Sequence, residues 1–233
     1  MKTLSLFFCV LMVLLPFAAV ASQPKMDPFD LHVASLRILE RKDVQAELGV
    51  TAAQRAKMDQ YADDYNNSLK LYLQQLKKQN KANEPMPDGT VVMMLSKLKQ
   101  NVMAILTPAQ LRRLREISLQ AYGLNGILDT TVAKKIGLSE SQIAKMQETY
   151  KAGSKKANDI MADAIKPVDK EFKGKPKNQD YEAKGKAAVN AAMPQVQKVN
   201  DDTQAAMLAI FTPQQKKAFL ALQGKVFHSN GDH

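Results

Sequence analysis

The residues with the most regular chemical spacing are four hydroxyl side chains, each followed three positions later by a glutamine. A hydroxyl at a helix N-cap accepts a hydrogen bond from the third backbone amide of the helix, and the glutamine at that position accepts one from the N-cap amide. This spacing is typical of helix starts, so it predicts structural hydrogen bonding rather than catalysis. The four pairs are Thr51 and Gln54, Thr107 and Gln110, Ser139 and Gln142, and Thr212 and Gln215.

A second chemical feature is a cluster of cations at a predicted turn. The cluster is either a solvated hairpin tip or a mobile basic surface for anionic clients and polymers. Nucleic-acid readers usually add arginines or stacking aromatic residues, so no specific nucleic acid is predicted as a partner. The cluster consists of Lys166, Lys170, Lys173, Lys175 and Lys177.

Met93 and Met94 lie in a stretch, residues 91–103, that is more apolar than one helix seam requires. Most of this surplus is expected to pack against the neighbouring unit, and an exposed remainder would be a binding surface. These two methionines are therefore candidate client-binding residues, together with the lysine cluster.

The residue sets that catalysis or tight metal binding requires are missing from the sequence. His32, His228 and His233 do not form a ligand set, and no metalloprotease, phosphate-loop or nucleophile-elbow motif occurs. The only cysteine, Cys9, lies in a segment predicted to be removed, which excludes disulfides and thiol nucleophiles. We therefore predict a protein that is not an enzyme and needs no cofactor.

The first 21 residues predict export. Lys2 precedes an apolar run that ends in Ala19-Val20-Ala21, a small-residue cleavage site. Cleavage would leave a periplasmic or extracellular protein without a membrane span. It would also remove one lysine and change the formal net charge from +10 to +9, an excess that attracts acidic partners at long range.

Long helices are predicted to position these residues. After a short helix over residues 31–40, apolar residues from Met58 to Leu76 recur at steps of four and three, and the same rhythm returns from Val91 to Ile105. Two such seams joined by a turn predict an antiparallel helical hairpin, which the helix starting at Thr107 closes.

The second half of the chain repeats the order of the first. From Ile127 onward it shows a short segment, the cap at Ser139, a long helix, a turn, a return helix and the cap at Thr212. No alternating apolar pattern predicts a strand. We predict an all-α fold of two tandem helical-hairpin units packed together as a pseudo-dimer. The predicted boundaries are 1–21 for the signal peptide, 22–125 and 126–227 for the units, and 228–233 for a flexible tail.

One copy of the cap, Leu106-Thr107-Pro108-Ala109-Gln110, is a complete Leu-Thr-x-x-Gln motif. With the other three copies, the export signal and the basic charge, the chain resembles the bacterial periplasmic LTxxQ family that includes Spy and CpxP. The resemblance implies an all-helical cradle with a basic concave face and ATP-independent chaperone or envelope-stress roles. Members of that family carry two motifs and dimerise, so four motifs imply that one chain imitates a dimer. Val50, Ser139 and Phe211 depart from the motif.

Two functions remain open from the sequence. The leading one is a chaperone-like binding protein that attracts unfolded or acidic envelope proteins electrostatically and holds them on apolar surface. The alternative is a structural or adaptor protein of the cell envelope that binds anionic polymers or a membrane sensor. An exposed apolar concavity favours the first, and a polar concave face with lysines at one tip favours the second. The sequence predicts neither the client nor the oligomeric state.

Overall fold

A computed structural model describes residues 26–78, 89–174, 176 and 178–229. Within these ranges the chain forms α-helices and one 3₁₀ segment, Gly123–Leu128, with no strand, so the predicted all-α hairpin class is confirmed. The predicted signal peptide, most of the first hairpin turn, Lys175, Lys177 and His233 lie outside the described residues. The helices are α1 (Pro28–Val33), α2 (Leu36–Leu39), α3 (Lys42–Glu47), α4 (Ala52–Lys78), α5 (Thr90–Met103), α6 (Pro108–Tyr122), α7 (Thr130–Lys135), α8 (Glu140–Glu171), α9 (Gln179–Ala209) and α10 (Pro213–Gln223).

The N-terminal unit contains the short helix α3, the hairpin formed by α4 and α5, and the closing helix α6. Its core is aliphatic because the apolar stripe of α6 turns toward the base of the hairpin. Leu111, Leu114 and Ile117 of α6 are fully buried against Val44 of α3 and Met103 of α5. Along α4 the seam is buried at Met58 and Leu76 and half-buried between them, at Tyr65 and Leu69.

The C-terminal unit repeats this order with α7, the hairpin of α8 and α9, and α10. Ile143, Met146 and Met207 form its core with two aromatic rings, Phe211 and Phe219, which pack edge to face with their centroids 6.3 Å apart. The short helix of each unit ends at a glycine with positive φ, +62° at Gly49 and +79° at Gly137. Side chains other than glycine are strained in that conformation.

The two units are joined through α6. Phe29 of α1, Leu119 of α6 and Val132 of α7 form a small buried cluster between them. The segment after the last helix of each unit also crosses to the other unit: Ile127 is buried in the C-terminal core, and Phe227 packs against the N-terminal core. The described part of the predicted tail continues this crossing, since the Ser229 hydroxyl hydrogen-bonds Asp43 at 2.8 Å.

The single helix predicted over residues 31–40 is wrong, because the chain breaks at Ala34 and Ser35 into α1 and α2. Ala34 is fully buried, and both residues have extended backbone. The amide of Ser35 donates to the Ser118 hydroxyl of α6 at 3.1 Å. A contact with a distant helix therefore replaces the local helical hydrogen bond that the apolar pattern favours.

Candidate binding groove and paired glutamines

A groove of about 820 Å³ lies beside the first hairpin, between α4, α5, α6 and the α1–α2 segment. Its apolar wall comes from several elements: Leu36 of α2, Tyr65 of α4, Leu95 and Leu98 of α5, and Tyr122 of α6. These elements assemble because α6 packs across the base of the hairpin and places the α1–α2 segment beside α4. The groove can hold an apolar side chain or a short peptide segment, since ligand pockets commonly span about 300–1,000 Å³.

One end of the groove carries a chain of polar contacts. Lys99 Nζ donates to the His32 carbonyl oxygen at 2.7 Å, and His32 Nε2 lies 2.7 Å from Asp129 Oδ2. Burial lowers the pKa of the Lys99 ammonium below its ordinary value, and the nearby Asp129 carboxylate opposes that shift. The pKa of Asp129 is itself lowered. Burial raises it, but hydrogen bonds from His32 and two backbone amides lower it by more. The net effect at this end of the groove is to favour the ionised form of Asp129 and to disfavour the ionised form of Lys99 relative to the free side chains.

Three apolar side chains of α5 are open to solvent. Val92 is 68% exposed, Met93 65% and Leu95 47%, and of these only Leu95 is among the residues that line the groove. Met94 is half-buried and lines a smaller depression together with Tyr61 of α4. Of the two methionines that the sequence singled out, Met93 thus lies on the surface and Met94 lies mostly inside the hairpin.

The described lysines of the cluster, Lys166, Lys170 and Lys173, lie on the other hairpin at the end of α8. Lys166 Nζ forms an ion pair with Asp163 Oδ1 at 2.6 Å, and this hydrogen bond raises the pKa of Lys166. Lys170 and Lys173 form no ion pair with any residue that the structure describes, whereas Lys184 on α9 pairs with Glu171 at 2.5 Å. The described lysines of the cluster therefore lie on a different hairpin from Met93 and Met94.

All four hydroxyl–glutamine pairs have both hydrogen bonds of a capping box. The Thr107 hydroxyl accepts from the Gln110 amide at 3.2 Å, and Gln110 Oε1 accepts from the Thr107 amide at 2.9 Å. The other copies have the same pair of bonds within a few tenths of an ångström; these are Thr51 with Gln54, Ser139 with Gln142 and Thr212 with Gln215.

The four glutamines also pair with each other, which local sequence reasoning missed. Gln54 Nε2 donates to Gln110 Oε1 at 2.8 Å, and Gln110 Nε2 donates back to Gln54 Oε1 at 3.2 Å. Gln142 and Gln215 form the matching pair at 3.0 Å in both directions. Each amide additionally donates to a backbone carbonyl beside its partner's helix start, as Gln110 does to Leu48 at 3.1 Å. The paired glutamines therefore tie the start of the long helix to the start of the closing helix.

This pairing predicts that Gln110→Glu destabilises the protein by about 1–2 kcal/mol, the scale of an unsatisfied half-buried polar group. A glutamate oxygen can still accept from the Thr107 amide, but it can no longer donate to Gln54 or to Leu48. Urea unfolding followed by circular dichroism measures the change. The control is Gln100→Glu on the exposed face of α5, expected to stay within about 0.5 kcal/mol of the wild type. Equal stability of both variants would show that only the cap matters.

The described residues contain no group of three or more His, Cys, Asp or Glu side chains that could hold a metal ion. Over the same ranges, no helix has the length and apolar character needed to cross a membrane. Comparison with known proteins gives no match: neither a protein-family model, nor a curated protein, nor a solved structure matches this chain.

Proposed function

We propose that this chain is an exported, non-enzymatic binding protein that holds apolar segments of partly unfolded or acidic client proteins without ATP. The observation that carries the proposal is the apolar groove, whose lining includes Leu95 of α5, a side chain that is 47% exposed. Contiguous apolar surface of this kind on a soluble protein marks a contact site for another molecule. Export and the likeness to the LTxxQ family rest on the sequence alone.

Charge supports the same proposal through association. The full sequence has a formal net charge of +10, and removal of the predicted signal peptide with Lys2 would leave +9, which attracts acidic clients from within about a Debye length, roughly 8 Å at physiological salt. Screened lysines hold a client only weakly, so retention depends on the groove. We therefore expect rising salt to slow association much more than it speeds dissociation.

The envelope-adaptor alternative receives less support from the lysine cluster. Lys166 is paired with Asp163, and Lys184 is paired with Glu171 and Asp180, so acids locally offset part of the positive field. Lys170 and Lys173 are the described lysines of the cluster that form no ion pair with a described residue, and Lys175 and Lys177 lie outside the described residues. The apolar groove favours the client-binding function.

The test of this proposal replaces one groove side chain without adding charge. In the protein beginning at Ser22, Leu95→Asn is expected to weaken binding of a denatured model client about tenfold, because about 1.4 kcal/mol of apolar contact is lost. The measurements are client affinity by biolayer interferometry and suppression of client aggregation without ATP.

The matched control is Leu220→Asn on α10. Leu220 is 64% exposed and does not line the groove, so this variant makes the same substitution at an exposed position elsewhere. It is expected to bind the client as the wild type does. Equal losses at both positions would refute the groove as the binding site, and an inability of the wild type to suppress aggregation at any molar ratio would refute the function.

A further inference from the structure

The chain after α10 lies against the N-terminal unit as a non-helical segment, residues 224–229, called the strap below. Polar side chains of α6 hold the strap through its main chain. Arg113 Nη1 donates to the carbonyl oxygen of Lys225 at 2.6 Å. Gln120 Nε2 donates to the carbonyl oxygens of Gln223 and Lys225 at 2.6 and 2.8 Å. In return the Phe227 amide donates to Gln120 Oε1 at 2.8 Å.

The strap uses few of its own side chains for this contact. Lys225, Val226 and His228 are exposed, whereas Phe227 is half-buried and packs against the N-terminal core. The Arg41 guanidinium lies 5.7 Å from the centroid of the Phe227 ring, within range of a cation–π contact.

Beyond the phenylalanine, the strap has one further anchor, the Ser229 hydroxyl. It donates to Asp43 at 2.8 Å and accepts from Arg41 at 2.8 Å. A hydrogen bond from Arg41 is the main reason that the pKa of Asp43 is lowered to about 2, so this carboxylate remains an acceptor at physiological pH. The residues that contact the strap, Arg41, Asp43, Arg113 and Gln120, are called the strap acceptor.

A site that binds carbonyl and amide groups of a peptide main chain is insensitive to most of the sequence that occupies it. Only the aromatic ring and the Ser229 hydroxyl of the strap contact the strap acceptor through side chains, so another non-helical segment with an aromatic residue can satisfy the same donors and acceptors. We propose that the strap acceptor is a peptide-binding site for a non-helical segment carrying an aromatic residue, occupied in cis by the strap. This site is separate from the apolar groove, because none of its four residues lines that groove.

The strap competes with any free peptide as an intramolecular ligand. A short tether gives an effective concentration in the millimolar range, so a free peptide gains access when the strap is weakened. The strap is also the less buried of the two crossing segments: Phe227 is half-buried, whereas Ile127 in the matching segment after α6 is 1% exposed. Of the two crossing segments, we therefore expect the strap to be the one that a free peptide can displace.

The experiment uses the full chain with Phe227→Ala and a fluorescein-labelled probe peptide with the sequence of residues 222–229. Fluorescence anisotropy is expected to show at least about tenfold tighter binding to this variant than to the wild type, since the cis competitor has lost its aromatic anchor. A probe with alanine at the phenylalanine position should not bind. Adding Gln120→Ala to the Phe227→Ala variant should abolish the gain, whereas adding Arg112→Ala, on the exposed face of α6, should preserve it.

A second measurement on the wild type keeps the test decisive if Phe227→Ala loses its helical circular dichroism. Millimolar probe is expected to speed hydrogen exchange of the Phe227 amide, which Gln120 otherwise protects. The proposal is overturned if the probe neither binds the variant more tightly nor changes this exchange, or if the alanine probe binds equally well. It is also overturned if the wild type forms a concentration-dependent dimer that the probe dissociates, because the occupant is then a second copy of this chain.

Discussion

Arg115→Leu is expected to lower the free energy of unfolding by about 3–5 kcal/mol, because it leaves a buried carboxylate without its partner. Arg115 Nε donates to Asp30 Oδ1 at 2.9 Å, and the two side chains are only 9% and 8% exposed. The same guanidinium donates to the Leu222 carbonyl oxygen of α10 and lies 5.8 Å from the Phe29 ring centroid. One side chain thus connects α1, α6 and α10, so its loss should weaken the junction of the two units. Urea unfolding followed by circular dichroism measures this change.

Two further variants distinguish the loss of stability due to the buried ion pair from the effect of substituting any arginine of α6. Arg112→Leu, on the exposed face of α6, should remain within about 0.5 kcal/mol of the wild type. The double variant Asp30→Leu with Arg115→Leu should be more stable than Arg115→Leu alone, because no unpaired buried charge remains. A loss below about 1 kcal/mol for Arg115→Leu would mean that Asp30 finds water or another donor.

The helices were predictable from the sequence because their signals are local. A capping box involves residues three positions apart, and the apolar seam of α4 repeats every three or four residues, so both can be recognised without knowledge of the fold. The order of the two units could be predicted for the same reason, since it is the order of their caps. The predicted start at Thr107 and the observed helix from Pro108 agree, because proline at the first helical position suits both signals.

The contacts that join these helices were not predictable in the same way. Asp30 has the sequence position of an ordinary acid in a first helical turn, and nothing near it indicates a partner 85 residues later. The pairing of Gln54 with Gln110 likewise depends on the distance between two helix starts. A useful signal was present in retrospect: four equivalent glutamines, two in each unit, allow one pair per unit.

The candidate groove was likewise predictable from the sequence only in part. The sequence drew attention to α5 through its surplus of apolar residues, and α5 does form one wall of the groove. The opposite wall comes from Leu36, Tyr65 and Tyr122, which lie on three other helices. A concavity assembled from several helices depends on their packing angles and distances, and short sequence patterns contain no information about either.

The two hairpins differ in how their helices pack. The α4–α5 hairpin leaves Leu71, Val92 and Met93 exposed to solvent. In the α8–α9 hairpin, small residues allow close approach of the helices, with Gly153 of α8 directly against Thr203 of α9. We therefore expect the first hairpin to adapt to clients and the second to act as a rigid support.

Gly153→Ala tests that close approach and is expected to destabilise the protein by up to about 2 kcal/mol, the overpacking cost less the gain in helix propensity. Helix propensity alone would favour alanine by about 1 kcal/mol. The added methyl group, however, would meet the side chain of Thr203, including its Cβ at 2.9 Å, so rotation of that side chain cannot remove the clash. The helices must separate, and overpacking of this kind typically costs about 1–3 kcal/mol. Thermal and urea unfolding measure the loss.

Gly185→Ala on α9 is the matched control, because it makes the same substitution in the same hairpin with free space. Its methyl group would lie 3.9 Å from the nearest atom, Ile165 Cδ1, so it should stabilise the protein by about 0.5–1 kcal/mol. Client binding by folded Gly153→Ala should be unchanged, since the groove lies beside the other hairpin. Stabilisation by both substitutions would disprove the close contact with Thr203, and a loss of client binding without a loss of stability would assign the second hairpin a direct part in binding.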